Sequence, residues 1–175
     1  IQNNSATPMQ PITDSGNGVF RRLRILSSSA IIEDVEEYSR VSQMFSELLP
    51  SARRFNDISE NWGATGAAAS LDVPFVADTI PGNSSKTVVV HLLSSVLSQG
   101  KSIPLDMLPV VLELELDDMD RAFSGTGNDW VITRPRLIAD VPTLDNALQN
   151  SYAKFILDCR SLPFVMHGLY SLKAT

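Results

Sequence analysis

Val110-Val111-Leu112-Glu113-Leu114-Glu115-Leu116 alternates apolar and acidic side chains, and this alternation decides how the chain is read. Successive side chains of a strand point to opposite faces, so Leu112, Leu114 and Leu116 line one face and Glu113, Glu115 and Asp117 the other. The stretch predicts a sheet with one dry and one wet side. Downstream, Gly125-Thr126-Gly127-Asn128-Asp129 is a turn rich in residues that tolerate positive φ. It leads to a second strand over Trp130 to Val141. A helix over about 143–157 follows Pro142, with Thr143 as its N-cap, Asp145 in its first turn and one stripe of Leu144, Leu148, Tyr152 and Phe155. Ser161 to His167 reads as entry into a further strand.

Upstream, Val19 to Leu26 alternates as a strand, Ser27-Ser28-Ser29 turns the chain, and Ala30-Ile31-Ile32 returns as a short strand. A helix over about 34–49 is predicted from Val35, Tyr38, Val41, Phe45, Leu48 and Leu49, spaced three and four apart. Glu33, Asp34, Glu36 and Glu37 crowd its first turn, where carboxylates meet the positive end of the helix dipole, and Pro50 ends it. Thr87 to Leu93, apolar on both faces, predicts a central covered strand. Between them the segment 51–86 is small-residue-rich and reads as a long surface loop, anchored by Trp62, Phe75 and Val76, with a short strand at Val73 to Ala77. The expected organisation is a polar N-terminal segment 1–18, a β-domain 19–142 and a linker helix with the start of a following strand, 143–175.

Composition narrows the class. With 43% hydrophobic and 19% charged residues in 175, and a mean hydropathy of +0.03, the chain is globular and long enough for a real core. No apolar run approaches the ~18 residues of a membrane span. The net charge of −6 argues against specific nucleic-acid binding, which needs clustered Lys and Arg. One cysteine, Cys159, excludes an intrachain disulfide and fits folding in a reducing, intracellular place. The missing initiator Met points to a processed chain or an excerpt of a longer one.

No convergent chemistry emerges. Asp117-Asp118-Met119-Asp120 lacks the turn Gly and closing Glu of a calcium loop. Gly125-Thr126-Gly127 lacks the Lys of a phosphate loop. Cys159 has only His91 and His167 as conceivable bases, without a local nucleophile signature. Asn3-Asn4-Ser5 and Asn83-Ser84-Ser85 match the glycosylation pattern, relevant only to a secreted chain. No catalytic, cofactor-binding or metal residue is nominated, no cofactor is expected, and the expectation is a protein that is not an enzyme.

The order of pieces resembles a family. Phe20-Arg21-Arg22-Leu23-Arg24-Ile25-Leu26, a small-residue turn and Ile31-Ile32-Glu33-Asp34 before a helix are similar to the first jelly roll of double jelly-roll major capsid proteins of large and Polinton-like eukaryotic DNA viruses. So are Ile103-Pro104-Leu105-Asp106-Met107-Leu108-Pro109 entering the strand at Val110, and Leu137-Ile138-Ala139-Asp140-Val141-Pro142-Thr143-Leu144-Asp145. The resemblance implies a mainly β jelly-roll sandwich, in a fragment of a longer subunit. It implies a structural protein of the virion, assembled inside the host cell as a homotrimer in an icosahedral shell, with capsid neighbours and minor capsid proteins as partners. In that setting 51–86 would be a tower or inter-subunit loop. A separate expectation from charge is that the acidic strand Glu113, Glu115, Asp117 meets the basic Arg21 to Arg24 strand across an interface. The alternatives are a single jelly-roll minor capsid or penton protein and a lectin-like β-sandwich, the latter using Trp62 or Trp130.

Overall fold

The strand Phe20–Ser27 (β3) is the middle of a three-stranded antiparallel sheet, flanked by Ala30–Glu36 (β4) and Val111–Leu116 (β5). The computed structural model describes residues 1–13, 15–49, 78–100, 102–127, 129–158 and 165–172. Leu23 and Ile25 of β3 point inward with Val35 of β4, and Leu112 and Leu114 of β5 pack against them. Each fully buried Leu or Ile of this kind is worth about 1.5–3 kcal/mol of removal from water.

Two smaller antiparallel pairs extend the body. Gln2–Asn3 (β1) pairs with Trp130–Val131 (β7), and Gln10–Pro11 (β2) with Phe123–Ser124 (β6). Tyr38–Glu47 forms α1, Met119–Ala122 α2 and Asn146–Leu157 α3, with a 3-10 turn at Gly16–Val19. Ile1, Met9 and Ile80 join the core from the chain's first residues and from the segment beside them. Phe123 meets Trp130 edge to face, ring centroids 5.1 Å apart.

This is a mixed α/β domain with small open sheets, and it overturns the mainly β jelly-roll sandwich expected from the sequence. The capsid resemblance falls with it, as do the capsid-subunit function, major or minor, and the icosahedral shell. The homotrimer, capsid neighbours and minor capsid proteins lose their basis in the same way. Among the described residues, β1, β2, β6 and β7 are each two residues long, too short to wall a sandwich. Thr87 to Leu93 joins no sheet among the described residues. Val88, Val90 and Leu92 lean on the core while Thr87, Val89 and His91 face solvent. Side chains hold its backbone instead: Asn17 Nδ2 donates to the His91 carbonyl at 2.8 Å, and the Leu93 N–H donates to Tyr38 Oη at 2.7 Å. Among the described residues only the first two of the predicted strand Trp130 to Val141 pair, and further on Arg134 at φ 53° and Pro135 without a donor break the strand.

The first helix also differs. Glu33, Asp34 and Glu36 lie on β4, and the backbone reverses at Glu37, φ 51°, before α1 begins. Across the ladder Asp34 and Glu36 sit beside Arg24 and Arg22, which favours strand over helix start. The buried face of α1 is Tyr38, Ser39, Ser42 and Ser46, while Phe45, Leu48 and Leu49 of the predicted stripe are exposed. In α3 the N-cap is Asp145, whose carboxylate accepts the Leu148 N–H at 2.7 Å, not Thr143. The Val73 to Ala77 strand, Trp62 and most of the 51–86 loop lie outside the described residues.

Candidate functional site

Among the described residues three polar clusters and one apolar arm stand out. The first cluster centres on Glu33, which is fully buried because β4 alternates it inward with Val35. Its carboxylate accepts the Ser94 hydroxyl, the Ser95 N–H at 2.8 Å, the Val96 N–H at 3.4 Å and the Leu169 N–H at 2.9 Å. Ser94 Oγ in turn accepts the Leu97 N–H at 3.1 Å. One carboxylate therefore caps the 94–97 turn and fastens the segment 165–172 to β4. Tyr170 Oη donates to the Ile32 carbonyl at 2.7 Å, and Ser171 Oγ to that of Glu36 at 2.6 Å, so β4 is edged by this segment.

In the second cluster the buried Tyr38 hydroxyl donates to Asn17 Oδ1 at 3.3 Å while accepting the Leu93 N–H. Burial pushes its phenol well above the usual tyrosine range. The third lies at the start of α2. Asp117, its carboxylate enclosed, faces Arg121 Nε at 3.5 Å and Ser39 Oγ at 3.5 Å. Arg121 also pairs with Glu37, whose hydrogen bond holds the guanidinium above its ordinary pKa. A shallow groove of about 250 Å³ opens beside it, lined by Ile12, Thr13, Ser39, Arg40, Gln43, Asp120 and Arg121. Both its arginines are engaged by Glu37.

The residues weighed from the sequence do not converge. Asp118 holds the N-cap position of α2 without a side-chain capping bond and Asp120 stands in its first turn, both exposed while Asp117 is enclosed. Among the described residues no three His, Cys, Asp or Glu side chains are placed to hold a metal ion. Gly125, directly after β6, sits at φ 132°, and an added Cβ there would come within 2.9 Å of the Pro8 carbonyl oxygen, so glycine serves the chain's close pass before β2. His91 and His167 are exposed, and Cys159 lies outside the described residues. Asn3 is fully buried, its amide donating to the carbonyls of Thr7, Ile80 and Pro81, which withdraws it as a glycosylation acceptor. Trp130 is packed on Phe123 and not presented for stacking a sugar. Glu33 escaped the sequence reading; an acid two residues before Val35 on an otherwise apolar strand face was its only signal.

The arm is the remaining feature. From Thr133 to Asp158 every residue but Phe155 is exposed, and no residue of α3 is buried. Leu137, Ile138 and Val141 stand 70–88% exposed, and Leu144, Leu148, Tyr152 and Ile156 follow at four-residue steps. Compared with protein-family models, curated proteins and solved structures, the chain matches none of them.

Proposed function

We propose that the chain is a protein-binding module and not an enzyme, with the arm 133–158 as the element it presents. The observation that carries this reading is α3, a helix with an apolar stripe and no buried residue. An isolated helix of this length is marginal in water, so its stripe finds its stability against another surface. Leu144, Leu148, Tyr152 and Ile156 match the four-residue spacing with which an amphipathic helix enters a groove. Contiguous exposed apolar side chains of this kind mark interaction sites. The partner that fits is a protein with an apolar groove one helix wide, flanked by acidic residues to meet Arg134 and Arg136.

The polar clusters favour the same reading. Glu33 and Tyr38 are each spent on backbone donors that join distant segments, work that suits holding a scaffold together. A reducing compartment suits a chain with a single cysteine.

Photo-crosslinking tests the proposal. A crosslinker placed at Leu148, in an extract of the cells that make the chain, should trap one heterologous protein. That adduct should disappear in Tyr152→Asp and be missing when the crosslinker sits at Arg40. Equal trapping at both positions, or none at Leu148, would overturn it.

A further inference from the structure

The three-stranded sheet has two unlike edges. The outer edge of β4 is occupied by 169–171, through the Leu169 N–H, the Tyr170 hydroxyl and the Ser171 hydroxyl. The outer edge of β5 is not. Among the described residues the backbone of Val111 to Leu116 makes no hydrogen bond outside its ladder with β3. Such an edge presents a row of donors and acceptors at strand spacing, a template for one more strand.

Charge on the wet face says which strand fits. Two rows cross the sheet there, Glu113–Arg24–Asp34 and Glu115–Arg22–Glu36, four carboxylates to two guanidinium groups. Arg24 Nη2 lies 2.8 Å from Glu113, and Arg22 is drawn to Asp34 at 2.7 Å. Glu115 lies 3.8 Å from Arg21, both side chains about half exposed, and feels Arg22 across the ladder without an ion-pair contact as close as that of Asp34. Each row thus ends in an acid at the open edge. A second β5 set antiparallel against this one would bring Glu beside Glu, and like charges directly opposite are destabilising. A strand with Lys or Arg at alternate positions would continue the alternation of sign along both rows. Its intervening apolar side chains would extend the dry face beside Leu112 and Leu114.

We infer that the outer edge of β5 is a second docking site, independent of the arm, for an extended segment of a partner protein in which basic and apolar residues alternate. Binding adds a fourth strand: backbone hydrogen bonds supply the affinity, and Glu113 and Glu115 select the basic partner.

The test uses the full chain and short synthetic peptides followed by anisotropy and by amide shifts of labelled protein. The probe alternates valine and lysine. One control replaces lysine by glutamate, and the other keeps lysine but carries N-methyl groups on alternate backbone nitrogens, which blocks a ladder without altering charge. The lysine peptide should bind about tenfold tighter than either control, with shifts centred on Val111 to Leu116. The Glu113→Gln, Glu115→Gln variant, altering only exposed side chains, should bind it several-fold more weakly. Equal binding of the N-methylated peptide would mean charge attraction alone and would overturn the inference. Shifts centred elsewhere, no binding, or self-association of the chain through Val111 to Leu116 would overturn it too.

Discussion

The backbone N–H of Leu169 donates to Oε1 of Glu33 at 2.9 Å, joining residues 136 apart in the chain. The same carboxylate receives the 94–97 turn, so one buried side chain ties three segments, of which β4 and 165–172 are otherwise paired by a single β-bridge between Asp34 and Tyr170. Removing it strands several donors at once. Glu33→Ala should lower unfolding free energy by about 3 kcal/mol, and Ser94→Ala by about 1 kcal/mol, in urea titrations. A loss under about 0.5 kcal/mol for Glu33→Ala would show that water replaces the carboxylate without cost.

Tyr38 gives a second stability test. Its hydroxyl is the partner of the Leu93 N–H and of Asn17 Oδ1, so Tyr38→Phe leaves a part-buried amide without an acceptor and should cost about 1–3 kcal/mol. In an ultraviolet alkaline titration of the Tyr152→Phe, Tyr170→Phe variant, the remaining Tyr38 should ionise well above the usual phenol range or only on unfolding.

The Arg22–Asp34 pair predicts an acid limb. Hydrogen bonding from Arg22 holds the Asp34 carboxyl below its ordinary value of 3.8, against a smaller opposing effect of burial. A depressed carboxylate pKa contributes stability that is complete above the unfolded value and is lost as pH falls through the folded one. Asp34→Asn should therefore be less stable than the parent chain at pH 7, with the difference closing as pH falls below about 4. Parallel stability curves across that window would rule the pair out as a contributor.

The arm should be energetically separate from the body. Asp145→Ala removes the cap of α3 and about 1 kcal/mol of helix stability, visible as lost helical signal in circular dichroism. The denaturation midpoint of the body should stay put. Leu148→Asp should likewise leave that midpoint unchanged, since Leu148 is exposed, while abolishing partner binding.

The close approach at Gly82 carries one further expectation. A Cβ there would collide with the Ala6 carbonyl oxygen, a backbone atom with no rotamer to escape into. Gly82→Ala should therefore loosen the 1–13 segment, measured as faster proteolysis near Ala6.

Local alternation carried the three-stranded sheet. Leu23 and Ile25 against Arg22 and Arg24, and Leu112 and Leu114 against Glu113 and Glu115, point as the period of two requires. The basic and acidic strands do meet, within one chain across the β3–β5 ladder and not between subunits. The helix at α3 was legible from its four-residue stripe. What failed was non-local. Thr87 to Leu93 is apolar, but periodicity does not report whether a ladder closes, and here Asn17 and Tyr38 bond the His91 carbonyl and the Leu93 N–H instead. The pairing of Gln2–Asn3 with Trp130–Val131 spans most of the chain and leaves no local pattern at all. Glu33 was hidden by its acidic neighbours, which imitate the first turn of a helix. The order of strands and helices read along the chain therefore did not specify a sandwich, and the described residues form small open sheets.

Residue-resolved hydrogen exchange on the isolated chain tests the central claim most directly. If the arm is presented and not packed, the amides of Asn146–Leu157 should exchange within about the time of a frayed helix, orders of magnitude faster than those of Phe20–Ser27. Exchange in α3 as slow as in β3 would mean the helix is docked on its own body, and the binding function proposed for the arm would be contradicted.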